Sequence, residues 1–87
     1  MNCRVNWQEE AENQLAEIWV SALDKPAVAA ASRRVDQLPA LDPLSQGEQR
    51  NGYDRILFVT PIAVLYRVDP NNREVWLFSV GWSGRPA

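Results

Sequence analysis

The stretch Arg55-Ile56-Leu57-Phe58-Val59, Thr60-Pro61, Ile62-Ala63-Val64-Leu65-Tyr66-Arg67-Val68-Asp69, Pro70-Asn71-Asn72, Arg73-Glu74-Val75-Trp76-Leu77-Phe78-Ser79-Val80 decides the fold of this chain. It holds three apolar runs of strand length, rich in β-branched and aromatic residues and divided by turn residues. The dividers are too short for crossover helices, so neighbouring strands must run antiparallel. The reading is a three-stranded meander over Asp54–Val59, Ile62–Asp69 and Arg73–Val80. Pro70 pre-sets the first central residue of the second turn, and the asparagines after it tolerate positive φ. Pro61 has no N–H and belongs where the ladder needs none.

Everything upstream reads as cover for one face of that sheet. Cys3–Asn6 has the pattern of a short opening strand at the meander edge, with Val5 inward. Asn6 is placed to cap a helix, with Glu9 three residues on as in a capping box. Trp7, Ala11, Leu15, Ile18, Trp19 and Ala22 then recur at helical spacing. Glu9, Glu10, Glu12 and Glu17 fill the solvated remainder of that helix, mostly near its N-terminus where the dipole favours them. Asp24 is the next cap, and Pro26 is tolerated in the turn that follows. A second helix over about Lys25–Leu38 turns Ala27, Val28, Ala31, Val35 and Leu38 to one side. The two helices, joined by a short link, form an antiparallel hairpin. Pro39 ends or kinks the second one. A long connection to Gly52 follows, with Leu41 and Leu44 as its anchors.

With 87 residues, one domain over 1–87 is expected, and 46% hydrophobic residues suffice for a core. The lone Cys3 and the absence of an apolar N-terminal run fit a reducing cytoplasm better than a secreted or membrane location. The sequence has no His and no cysteine cluster. Common zinc sites, His-based acid–base chemistry and Ser-His-Asp triads are thereby excluded, and neither metal nor cofactor is expected. Charge is uneven: Met1–Glu48 carries four basic and eight acidic residues, whereas Gln49–Ala87 carries five Arg against three acidic residues. An acidic partner or a nucleic acid would approach the sheet half.

Alternation divides each strand into two sets. The bulkier sets are expected on the helices: Ile56 and Phe58; Ile62, Val64, Tyr66 and Val68; Trp76, Phe78 and Val80. The opposite face would then carry Leu57, Ala63, Leu65, Val75 and Leu77, rimmed by Arg55 and Arg67. Such an apolar second face reads as an interaction surface. Leu57, Ala63, Leu65, Leu77 and Trp82 are the candidate partner-binding residues. Arg55, Arg67, Arg73 and Arg85 are the groups available to clamp a phosphate, with Tyr53 and Tyr66 as hydroxyls.

Order, length and several short motifs carry a resemblance over nearly the whole chain. They are Trp7, Ala11, Leu15 and Ile18-Trp19; Ala31-Ser32 and Val35-Asp36; Asp42-Pro43 and Gly47; then Arg55, Pro61, Val64-Leu65-Tyr66-Arg67-Val68 and Val75 to Val80-Gly81. In these the chain resembles the RelE/ParE superfamily of toxins from type II toxin–antitoxin pairs. The resemblance implies an α+β domain: a short N-terminal strand and a two-helix hairpin packed on an antiparallel sheet of three to four strands. It implies a cognate antitoxin that covers the sheet, and a place in systems such as those of plasmid stabilisation. It also implies growth inhibition by mRNA cleavage at the ribosome. The alternatives are a ParE-like inhibitor of DNA gyrase, or a degenerate toxin that only binds its antitoxin. Arg55, Arg67 and Arg85 would be the catalytic residues of the nuclease form. The chain departs from RelE-like nucleases where Ala63 replaces an expected Arg, where Trp82-Ser83 replaces a basic residue, and where no Tyr or His stands near Ala87.

Overall fold

A computed structural model describes residues 3–41 and 48–83. The elements run β1 (Arg4–Trp7), α1 (Glu9–Ser21), α2 (Lys25–Leu41), β2 (Glu48–Asn51), β3 (Asp54–Val59), β4 (Ile62–Asp69) and β5 (Glu74–Trp82). They form a five-stranded sheet in the order β1-β5-β4-β3-β2 with the helices on one face. β3 and β4 occupy the expected residues. β2 is an additional edge strand, linked to β3 through Gly52, whose φ of 57° is the left-handed conformation glycine adopts without a steric cost. β1 pairs with β5 in parallel, so the sheet is mixed rather than wholly antiparallel. The whole hairpin and meander separate these two strands, and no tight turn dictates their direction.

Asn6 does not cap α1. Asn6 and Trp7 lie in β1 opposite Trp76 and Leu77, and the Gln8 N–H continues the pairing by donating to the Leu77 carbonyl at 2.9 Å. The Asn6 amide donates across the sheet to the Glu74 carboxylate at 3.3 Å. The chain turns helical only after Gln8, which is extended and makes no side-chain cap. Glu9, Glu10 and Glu12 then sit in the first turn, where the helix dipole favours them. Asp24 behaves as expected: its Oδ1 accepts from the Ala27 N–H at 3.1 Å. α2 continues past Pro39 to Leu41, so the proline does not stop it. The anchoring expected of Leu44 lies outside the described residues, as do the side chains of Leu38 and Leu41.

One core fills the space between sheet and hairpin. Ala11, Ile18 and Ala22 from α1, and Val28, Ala31 and Val35 from α2, meet Leu57, Val59, Ile62, Val64, Tyr66, Val68, Val75, Leu77 and Val80. Tyr66 is the largest fully buried side chain. Burial on this scale stabilises by roughly 1.5–3 kcal/mol for each large side chain. The Trp7 indole N–H donates to Asp36 Oδ1 at 2.7 Å, tying the end of β1 to α2.

Register overturns part of the expected division of faces. The two-residue Thr60-Pro61 turn, whose peptide bond is cis, sets Val59 opposite Ile62 and therefore Leu57 opposite Val64. Directly opposed residues share a face, so Leu57 and Val59 go inward and Ile56 and Phe58 outward. On β5, Val68 opposes Val75 and Tyr66 opposes Leu77, which buries Val75 and Leu77 and turns Trp76 out. A bulge at Phe78 then shifts the register by one residue and returns Val80 to the core.

Candidate functional site

The face away from the helices is the candidate site. β3 contributes Ile56 and Phe58, β4 contributes Ala63, Leu65 and Arg67, and β5 contributes Trp76, Phe78 and Ser79. Phe58 is 53% exposed and Trp76 37%, although both are large apolar groups. Gln8, Arg67, Trp76 and Phe78 line a shallow cleft at the β1 end of this face. The patch is continuous because neighbouring strands present their outward residues in register: Phe58 beside Ala63, Ile56 beside Leu65, and Arg67 beside Trp76.

Arg67 is paired with a carboxylate. Its Nε and Nη2 donate to the two carboxylate oxygens of Asp54 at 2.6 and 3.0 Å, a two-pronged pairing across β3 and β4. The guanidinium also stands 5.9 Å from the centre of the Phe78 ring, within cation–π range. Donation from Arg67 holds the Asp54 carboxyl below the usual carboxylate range, and the same hydrogen bond raises Arg67 further. An arginine so engaged has only part of its donor set left for a ligand.

The candidate residues are therefore not gathered in one place. Arg55 opposes Tyr66 and lies on the helix side of the sheet, whereas Arg67 lies on the open side. Arg85 lies outside the described residues. Of the expected partner residues, Ala63 and Leu65 do face outward and are half-buried. Leu57 and Leu77 are buried in the core and present nothing to a partner. Trp82 is half exposed at the end of β5, opposite Ile62. Sequence reasoning missed Ile56, Phe58, Trp76 and Phe78 as surface groups, and the two-residue turn at Thr60-Pro61 was the signal for the first pair.

The positive charge of the sheet half does not collect on the open face. By register that face carries Arg4 and Arg67 against Glu48, Asp54, Asp69 and Glu74 among the described residues. Arg73 stands instead in the β4–β5 turn with φ 53°, and Arg50 at the irregularity of β2. The face suits an apolar, aromatic-reading contact better than a row of phosphates. Among the described residues, no group of His, Cys, Asp or Glu is placed to hold a metal ion, and no helix is long and apolar enough to cross a membrane.

Two helices over one face of a mixed sheet in this order match known structures along almost their full length. The chain superposes on a chain of the RelBE2 toxin–antitoxin complex of Mycobacterium tuberculosis with a TM-score of 0.79, covering 98% of this chain and 95% of that one at 17% identity. This is the RelE/ParE fold. A chain from the ParDE toxin–antitoxin system of P. aeruginosa gives 0.70 at 16% identity, covering 94% of this chain and 97% of that one. The archaeal RelE–RelB complex from Pyrococcus horikoshii gives 0.69 at 14% identity, covering 99% and 100%. No protein-family profile matches the sequence, and no curated protein matches it. Within the RelE/ParE fold, the open face described above is the outer side of the sheet, left bare by α1 and α2.

Proposed function

We infer that this protein is the toxin member of a type II toxin–antitoxin pair, and that an antitoxin segment lies on the open sheet face. The observation that carries this reading is the surface itself: Ile56, Phe58, Leu65, Trp76 and Phe78 form an apolar face with no cover from the chain's own described elements. The fold shared with chains of toxin–antitoxin structures supports it. An extended antitoxin strand on a sheet edge, or an antitoxin helix laid across Leu65 and Trp76, are the two modes this geometry accepts. The partner is expected from an adjacent reading frame as a short, partly disordered chain; the acidic residues on the open face do not favour the acidic partner expected from the charge of the sheet half.

Two actions on the cell are open to such a toxin, and they differ in chemistry. Attack on translation by mRNA cleavage at the ribosome needs charge stabilisation at phosphorus and a proton acceptor near the 2′-hydroxyl. Inhibition by surface contact, as of DNA gyrase, needs neither. The engagement of Arg67 by Asp54, the opposite-face position of Arg55 and the burial of Tyr66 favour the second action. Inducible expression with primer extension separates them. Growth arrest with intact mRNA and accumulated DNA breaks supports contact inhibition. Codon-phased cleavage lost in Arg67→Ala or Arg85→Ala supports the nuclease. No growth effect at all leaves a protein that keeps only its antitoxin-binding surface.

A further inference from the structure

The two edges of the sheet are not alike. β2 pairs with β3 irregularly between Gln49 and Asn51, and Glu48 and Arg50 place both signs of charge on this four-residue strand. Broken pairing and charge are devices that keep a further strand off an edge. β1 has no such break: Arg4, Val5, Asn6 and Trp7 run in continuous register with Glu74, Val75, Trp76 and Leu77.

Backbone hydrogen bonds fix what the β1 edge offers. The Arg4 N–H donates to the Arg73 carbonyl at 2.8 Å, and the Gln8 N–H to the Leu77 carbonyl at 2.9 Å. Successive residues of a strand turn their N–H and C=O to opposite sides. Arg4, Asn6 and Gln8 therefore point to β5, and Val5 and Trp7 point away from it. Neither Val5 nor Trp7 has a backbone partner among the described residues. Their N–H and C=O groups line the free edge at strand spacing. The edge is also held in shape without a partner strand. The Val5 and Trp7 side chains pack against the core, and the Trp7 indole is tied to Asp36. A preformed row of alternating donors and acceptors is matched by the backbone of an extended chain.

We propose that an extended segment of the antitoxin adds to the sheet beside β1. The proposal rests on the antitoxin reading above and selects the edge that reading leaves open. Side chains of the added strand on the helix side meet Val5 and Trp7 and are apolar. Trp76 stands beside Asn6 on the open face, so the edge is continuous with the apolar surface on which the rest of the antitoxin segment lies.

Amide hydrogen exchange of the full chain, followed by NMR alone and with the product of the adjacent reading frame, tests this. In the free chain the Asn6 and Gln8 amides should exchange slowly and those of Val5 and Trp7 fast. In the complex, Val5 and Trp7 should slow by about tenfold or more. Val5→Pro removes an N–H that the ladder does not use. With folding verified by circular dichroism, it should raise the Kd about tenfold. The exchange measurement on the parent decides the matter even where that variant does not fold. A complex that Trp76→Ala weakens, but in which the Val5 and Trp7 amides stay fast, overturns this proposal and keeps the open-face reading. Protection that appears along β2 instead does the same. Val5 and Trp7 amides already slow in the free chain also overturn it. No binding at all overturns both.

Discussion

Gln14 Oε1 accepts a hydrogen bond from the Val80 backbone N–H at 2.7 Å, joining the sheet-facing side of α1 to the strand just past its bulge. Val80 stays paired with Val64 on the β4 side, but β1 ends opposite Leu77, and beyond that point a side chain from the helix supplies the acceptor. The bond fixes where α1 sits along β5. It also holds the register that turns Val80 inward while leaving Phe78 on the open face. Gln14→Ala should therefore destabilise the fold by about 1–2 kcal/mol in urea unfolding. Exchange of the Val80 amide proton should accelerate beyond what the global loss of stability explains.

The register further predicts unequal costs for two leucines that sequence alternation places together. Leu77 is fully buried, and Leu77→Ala should cost about 2–5 kcal/mol. Leu65 is half-buried on the open face, and Leu65→Ala should cost clearly less. Paired denaturant curves check this; equal losses would mean that the two share one face.

Acid should act through Asp54 and Asp69. Arg67 depresses the Asp54 carboxyl by hydrogen bonding, and the Asn72 side chain and backbone depress Asp69. A depressed carboxyl contributes its stability in full above the ordinary carboxylate pKa near 4 and loses it as pH falls through the lower folded value. The parent should thus lose a small increment of stability below about pH 4. Asp54→Asn and Asp69→Asn should each be slightly less stable at neutral pH and should lose less on acidification. Thermal melts across pH 2 to 7, spanning roughly the carboxylate range, check the sign.

Arg73 holds the left-handed conformation in the β4–β5 turn at φ 53°. A non-glycine residue there carries about 1 kcal/mol of steric cost. Arg73→Gly should be neutral or stabilising by up to about 1 kcal/mol, the gain being offset by greater freedom in the unfolded chain. Thermal melts of the two proteins measure it.

Much of the architecture was legible in residue patterns. Helical spacing located α1 and α2, Asp24 located the start of the second, and turn residues bounded β3 and β4. What escaped was set by partners distant in sequence. Asn6 looks like a cap until β5 is known to lie beside it and draw it into a strand. β2 is Glu-Gln-Arg-Asn, an edge segment with no apolar alternation to reveal it, and only the Asn51-Gly52 step marks its turn. The asparagines looked best suited to positive φ, but Asn72 turns its side chain and N–H to Asp69, and Arg73 takes the left-handed position instead. The candidate site suffered most. Alternation within a strand gives two sets but does not say which is buried, and relative bulk was a poor guide because Phe58 and Trp76 are surface groups.

The open face as the antitoxin-binding surface is best tested by titrating the product of the adjacent reading frame into the parent protein, Leu65→Asp and Trp76→Ala, with folding of each verified by circular dichroism. The account predicts that each variant stays folded and binds more weakly by about 2 kcal/mol or more, roughly thirtyfold in Kd. Unchanged affinity in both folded variants would contradict it.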